Sequence, residues 1–197
     1  MTDDALVAAE GTGAELFDDR AIFFLQHREQ IERWGGLRWD ACQAVSRYLE
    51  SLGDRVAELS QQWAYWSGAI GKYQCHALTP TPVETESTPG IAVGLGWYAA
   101  AVMPEKKGDN TSPFVGIYID PDHDQAEVLR NALDTADVGL AHGYASSKPW
   151  PRYQLVIAPS GWWRNLDDYS EKLLEGVSGL LAKYEEPLSR ALAIQNA

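Results

Sequence analysis

The sequence has little cysteine: Cys42 and Cys75 are the only two in 197 residues. Their separation does not match the short spacing of paired metal ligands, and each falls inside a predicted helix or strand. Because thiols in the cytosol stay reduced, we expect both side chains to be reduced and partly buried. The sequence therefore predicts two structural thiols and no cysteine metal site.

Long apolar runs are missing too. No stretch approaches the roughly 20 residues that a helix needs to span a bilayer, so no membrane partner is expected. The first 19 residues, MTDDALVAAEGTGAELFDD, are acidic and interrupted by glycine. A signal peptide needs a basic start and an apolar stretch, and a transit peptide needs arginines, so neither is predicted. We expect a cytoplasmic protein.

Basic residues are outnumbered by acidic ones, 16 to 28, which gives a formal net charge of −12. This balance argues against nonspecific binding of nucleic acid, and no run of lysine and arginine builds a local basic groove. A strongly acidic chain is also compatible with an inhibitor or immunity-type protein that mimics nucleic acid. That function would require the acids to cluster on one face of the fold.

The common catalytic motifs are absent. The sequence contains no Gly-x-Ser-x-Gly nucleophile elbow and no phosphate-binding loop. Gly94 and Gly96 imitate the start of a dinucleotide fingerprint, but no third glycine and no helix follow. The four histidines are scattered, and His142, in a predicted loop, is the one that we retain as a candidate site residue. We therefore expect a protein that is not an enzyme and needs no cofactor.

Helical spacing dominates the first part of the chain. Residues 1–17 are predicted to form a flexible acidic tail. A helix follows, in which Phe24, Ile31 and Trp34 recur near helical spacing and which Gly35-Gly36 breaks or kinks. Apolar residues at intervals of three and four then predict one long helix over residues 37–63. Residues 18–197 are predicted to form a single domain.

Alternating apolar residues predict strands in the middle of the chain, most clearly at Ile91, Val93, Leu95 and Trp97. The expected fold is α+β (or α/β), with a short mixed sheet of about four strands covered by long N-terminal and C-terminal helices. Strands are predicted at residues 69–78, 91–103, 114–119 and 153–159, and helices over residues 125–136 and from 165 or 167 onwards.

An acidic stretch, Asp120-Pro121-Asp122-His123-Asp124, follows the third predicted strand. The spacing of Asp120, Asp122 and Asp124 opens an EF-hand loop, but Gln125 and Asn131 occupy its sixth and twelfth positions, so that calcium site is rejected. Helix capping explains the stretch: Asp120 is the predicted N-cap, and the other acids lie at the positive end of the helix dipole. The alternative is a metal-dependent phosphodiester or phosphate-ester hydrolase in which the three aspartates hold Mg²⁺ or Mn²⁺.

The predicted order of helix, three strands, helix and strand is similar to the core of the PD-(D/E)XK nuclease superfamily over most of residues 20–160. That family binds magnesium with an aspartate near the second strand and an acid-x-lysine pair on the third. Here residues 91–103 contain no aspartate, and residues 114–119 contain neither acid nor lysine. The resemblance therefore implies a nuclease-like fold without the metal site, and no catalytic role is carried over.

Tryptophan is abundant, with eight residues, several of them at element ends and in loops. Trp162 and Trp163 are adjacent, so at most one of the two rings is expected to reach the core. Because Trp and Arg are enriched at interaction hot spots, we predict a non-catalytic intracellular domain that binds a protein or peptide. Its oligomeric state is left open. The predicted surface comprises Trp150, Arg152, Trp162, Trp163, Arg164 and His142.

Overall fold

The computed structural model describes residues 19–84, 87–105, 111–138 and 143–193. The chain divides into two compact units, Met1–Ala41 and Cys42–Ala197. The predicted acidic tail, residues 1–17, and the candidate His142 lie outside the described residues.

In the first unit the described residues are helical. Helix α1 spans Asp19–Gln26, and helix α2, Arg28–Glu50, begins in this unit and continues into the second. The predicted break at Gly35-Gly36 is wrong, because both glycines lie inside α2. Glycine costs a helix about 1 kcal/mol relative to alanine, and the good helix formers Leu, Arg and Glu nearby outweigh that penalty.

The second unit contains a five-stranded sheet in the order β1-β2-β3-β4-β5. Each pair of neighbouring strands is antiparallel. The predicted α+β class is confirmed, with five strands where about four were expected and antiparallel pairing where a mixed sheet was expected. The strands are β1 (Ala64–Ile70), β2 (Tyr73–Thr79), β3 (Ile91–Trp97), β4 (Phe114–Ile119) and β5 (Arg152–Leu155).

The additional strand, β1, follows the long helix predicted over residues 37–63, and the strand predicted at residues 69–78 corresponds to the end of β1 and to β2. Helix α2 ends at Glu50, and only the short helix α3, Gly53–Ala57, follows it. The hydroxyl of Ser60 accepts hydrogen bonds from the N–H groups of Gln62 and Trp63, each at 3.1 Å. This local turn competes with helical pairing, so the chain leaves the helix and enters β1.

Helices cover one face of the sheet. Helix α4 spans Ala126–Ala136, a 3₁₀ turn spans Trp162–Arg164, and helix α5 spans Leu166–Ala193. The alternation predicted for β3 is confirmed, because its four predicted residues are buried in the core formed with these helices. The core also includes Val115, Ile117 and Ile119 of β4, Leu129 and Leu133 of α4, and Leu173, Val177, Leu180 and Tyr184 of α5.

The opposite face of the sheet carries a separate cluster in which aromatic rings lie over glycines. A Cβ at Gly96 would lie 2.5 Å from Cζ of Phe114, and one at Gly68 would lie 2.6 Å from Cζ2 of Trp66. Among the described residues, none from α3, α4 or α5 belongs to this cluster. Glycine in these strands therefore lets aromatic side chains cover the sheet directly.

Candidate binding surfaces

The N-terminal helix segment, defined as residues 19–41, exposes large apolar side chains. Seven of them are between 36% and 58% exposed. A concentration of exposed apolar side chains of this kind is uncommon on monomeric proteins and is typical of interaction sites. The seven residues are Ile22, Phe23, Phe24, Leu25, Trp34, Leu37 and Trp39.

These side chains lie on more than one side of the helix. At 3.6 residues per turn, Phe24, Ile31 and Trp39 lie within about 80° of one another, whereas Leu25 and Trp34 point about 80–100° away from Phe24 in opposite directions. A helix that is apolar on several sides is normally surrounded by other structure. Its side chains are nevertheless exposed among the described residues.

The charges of this segment differ from those of the rest of the chain. Its sequence has four arginines and four acidic residues, so its net charge is zero in a chain of net charge −12. Arg28 and Glu32, one helical turn apart, form an ion pair at 2.8 Å. The segment therefore presents apolar and charge-balanced surface, which suits contact with protein.

The predicted aromatic surface is divided among different parts of the second unit. Trp150 is buried and packs against Phe114, with ring centroids 4.8 Å apart, in the cluster that lacks helices. Trp162 is buried in the helix-covered core and lies 5.0 Å from the Tyr169 ring. Trp163 is 55% exposed, so only one ring of the adjacent pair reaches the core, as expected. Of the predicted set, Trp163 and Arg164 are the described residues that remain exposed.

Arg152, predicted as a ligand-binding residue, is buried in an ionic cluster. Its Nε donates to Asp137 at 2.6 Å, and its Nη2 donates to Asp134 at 2.6 Å. Nη1 donates to the carbonyl of Pro151 at 2.7 Å. All three guanidinium nitrogens are therefore used within the chain, and Arg152 connects β5 to the end of α4.

Asp137 is the centre of this cluster. Lys183 and Tyr184 of α5 also donate to its carboxylate. Burial alone would raise the pKa of Asp137, but the hydrogen bonds from Lys183, Tyr184 and Arg152 outweigh it and lower the pKa to about 2. A carboxylate at a helix C-terminus interacts unfavourably with the helix dipole. The positive charges of Arg152 and Lys183 offset this unfavourable interaction at Asp137. The cluster fastens α4, β5 and α5 together.

The acidic stretch after β4 forms a turn. Helix α4 begins at Ala126, so the prediction that Asp120 is its N-cap is wrong. Instead, Oδ1 of Asp120 accepts the N–H of Asp122 at 2.9 Å, and Nδ1 of His123 accepts the N–H of Gln125 at 3.1 Å. An aspartate readily closes such a turn through its own side chain, which leaves several residues between the strand and the helix.

A cleft of about 550 Å³ lies beside this turn and includes Asp122, His123 and Asp124 in its lining. Within the part of the chain that the structure describes, no group of three or more His, Cys, Asp or Glu side chains is placed to hold a metal ion. Cys42 and Cys75 are buried free thiols. The Mg²⁺ or Mn²⁺ site at Asp120, Asp122 and Asp124 therefore stays a prediction that the described geometry does not favour.

No family model, curated protein or solved structure matches this chain. The resemblance to the PD-(D/E)XK core therefore stays a prediction. None of the helices among the described residues combines the length and apolar character needed to cross a membrane.

The N-terminal helix segment was not predicted to be a binding surface from the sequence. The spacing of Phe24, Ile31 and Trp34 indicated only a helix. Two features of the sequence indicate a binding surface: the apolar residues on several sides of the helix, and a net charge of the segment that differs from that of the whole chain. Both are visible in the sequence without the fold.

Proposed function

We propose that this protein is a non-catalytic domain that binds another protein through its N-terminal helix segment. The observation that carries the proposal is the exposure of seven large apolar side chains over residues 22–39. An apolar helix laid into a groove of a partner is a recurring recognition mode, with anchors spaced three, four and seven residues apart. Phe24, Ile31 and Trp34 have this spacing.

The exposed aromatic area is about half of one side of a standard interface. A covered aromatic side chain buries roughly 150–250 Å², so the four half-exposed aromatic residues of the segment offer about 400 Å². A standard interface buries about 800 Å² per partner, and the aliphatic residues of the segment add to the aromatic contribution. Trp34 and Trp39 belong to the residue type most enriched among interaction hot spots.

The surface predicted near residues 150–164 is the weaker candidate, because Trp150, Arg152 and Trp162 are all engaged within the chain. Trp163 and Arg164 remain exposed and serve as a comparison. The proposal keeps the expected cytoplasmic location. Two buried free cysteines are compatible with a compartment that keeps thiols reduced.

The test compares Trp34→Ala/Leu37→Ala with Trp163→Ala in the full chain. Proteins that copurify with each variant from source cells are quantified by mass spectrometry, and the Kd of each candidate is then measured with purified components. Trp34 and Trp163 are similarly exposed, at 57% and 55%, so the control removes an equivalent ring. We expect the helix variant to weaken binding at least about tenfold and the control to leave it unchanged.

A partner that binds both variants equally, or that is lost only with Trp163→Ala, would contradict the proposal. Helix-dependent binding to lipid vesicles without any protein partner would contradict it as well. Circular dichroism of each variant separates lost binding from lost folding.

A further inference from the structure

We infer that the molecule contacted by the N-terminal helix segment is a second copy of this chain, with the two helices crossing closely at Gly35-Gly36. The inference rests on the proposed function and names its partner. It follows from three properties of the segment: two unexplained glycines, a balanced charge and an apolar stripe that contains one of these glycines.

The glycines have no role in the conformation or packing of the described residues. Both lie inside α2, where glycine is less favourable than alanine. A Cβ built at Gly35 or at Gly36 would meet no heavy atom of the described residues within 4 Å. By contrast, a Cβ at Gly176 of α5 would lie 3.0 Å from Val115. The absent side chains of Gly35 and Gly36 therefore leave room that no described residue fills.

Gly35 lies within the apolar stripe. Ile31 follows Phe24 by seven residues, Gly35 follows Ile31 by four, and Trp39 follows Gly35 by four. Side chains at these spacings share one side of a helix. A partner helix that follows the stripe crosses over the glycine and approaches closer than the 8–10 Å between ordinary packed helices.

Twofold symmetry makes a small residue at the crossing point doubly useful. In a symmetric dimer the same patch meets itself, so the residue on the axis faces its own copy. If the axis passes near Gly35, both helices lack a side chain at the point of closest approach. Phe24 and Trp39, on either side of the crossing, then pack against the partner helix.

The charge of the segment also favours a second copy. The segment has four arginines and four acidic residues, so the positive charges of one copy match the negative charges of a second copy in number. A partner whose charges are mostly of one sign would meet no opposite net charge on the segment. The whole chain carries −12, so two copies repel each other at long range. Because salt screens this repulsion and spares apolar contact, the dimer is expected to become tighter as salt rises.

The test is the oligomeric state of the full chain, measured by sedimentation velocity over a wide range of concentration and at low and high salt. The decisive variant is Gly35→Ala/Gly36→Ala. Alanine favours the isolated helix but fills the crossing point, so helicity should be kept or increased while the dimer Kd rises at least about tenfold.

Gly179→Ala is the matched control. Gly179 is an exposed glycine inside α5, and a Cβ there also meets nothing within 4 Å among the described residues. It should leave the dimer Kd unchanged. Trp34→Ala should also weaken the dimer.

A wild-type chain that stays monomeric throughout would overturn the second-copy inference, while the proposed function would still be judged by its copurified partners. A dimer that tolerates both the glycine and Trp34 variants forms through another surface, which also overturns the inference. Loss with Trp34→Ala but not with the glycine variant would show helix-mediated association and overturn the close crossing.

Discussion

The hydroxyl of Tyr65 and Nδ1 of the buried His76 are hydrogen-bonded across 2.7 Å. On the other side of the ring, Nε2 donates to the backbone carbonyl of Glu50 at 3.0 Å, because a carbonyl only accepts. One imidazole thus links the end of α2 to strands β1 and β2, and in the neutral ring Nδ1 accepts from the hydroxyl of Tyr65. This role of His76 was not predicted from the sequence.

This link predicts a pH-dependent stability. Burial lowers the pKa of His76 below 6.5, although the carbonyls of Glu50 and Leu49 partly oppose the shift. A base with a lowered pKa in the folded state contributes its full stability above pH 6.5 and loses it as pH falls towards the folded value. We expect the free energy of unfolding to fall more steeply below pH 6.5 in the wild type than in His76→Gln. Urea unfolding at pH values above and below 6.5 measures this difference, and parallel pH profiles would exclude the mechanism.

Asp137 and Asp134 offer a matched pair of substitutions around Arg152. The side chain of Asp137 is 5% exposed and that of Asp134 is 67% exposed. Asp137→Asn leaves the buried Arg152 and the nearby Lys183 without their shared carboxylate, and removing one partner of a buried pair costs about 3–5 kcal/mol. Asp134→Asn should cost about 0–1 kcal/mol, because an exposed pair contributes little. Equal losses on urea unfolding would show that the cluster does not fasten the helices.

Gly94 is predicted to be the least replaceable glycine of the sheet. A Cβ at this position would lie 2.6 Å from Cα of Ala77 and closer still to the carbonyl oxygen of His76, so the backbone of β2 would have to move. Overpacking of this kind costs about 1–3 kcal/mol or more. Thermal unfolding of Gly94→Ala should show a clear fall in Tm. Gly179→Ala, in open space on α5, should be neutral or stabilising.

The predictable part of the fold is the part in which local pattern and tertiary environment agree. Strand β4 matches its predicted bounds, and β3 shows the predicted alternation, because its residues lie between helices on one face and aromatic rings on the other. Most of strand β1 was missed, because the three-four spacing continues past the end of α3 to Trp63 and the first predicted strand begins only at Ala69. The turn that precedes β1 depends on one side-chain oxygen, the hydroxyl of Ser60.

The candidate surfaces were harder to predict for a different reason. The sequence around Trp150 does not reveal that its ring packs on the sheet next to a glycine of β4. The sequence around Arg152 does not reveal that its guanidinium pairs with Asp137, fifteen residues earlier. Conversely, the spacing of Phe24, Ile31 and Trp34 predicts an apolar helix face equally well whether its own core or a partner covers it. Whether a side chain is buried depends on the fold of the whole chain, and the local spacing of apolar residues does not determine it.

The strand order in the sheet, β1-β2-β3-β4-β5, is also the order along the chain, and this has a consequence for how the protein folds. Strands β1 and β2 are joined at Gly71-Lys72, so their pairing closes a very short loop. Strand β5 reaches β4 only after residues 120–151, which include α4, and closing a longer loop loses more chain entropy. The hairpin at Gly71 is therefore the natural starting point of the sheet, and the β4–β5 pairing, tied to the Asp137 cluster, completes it.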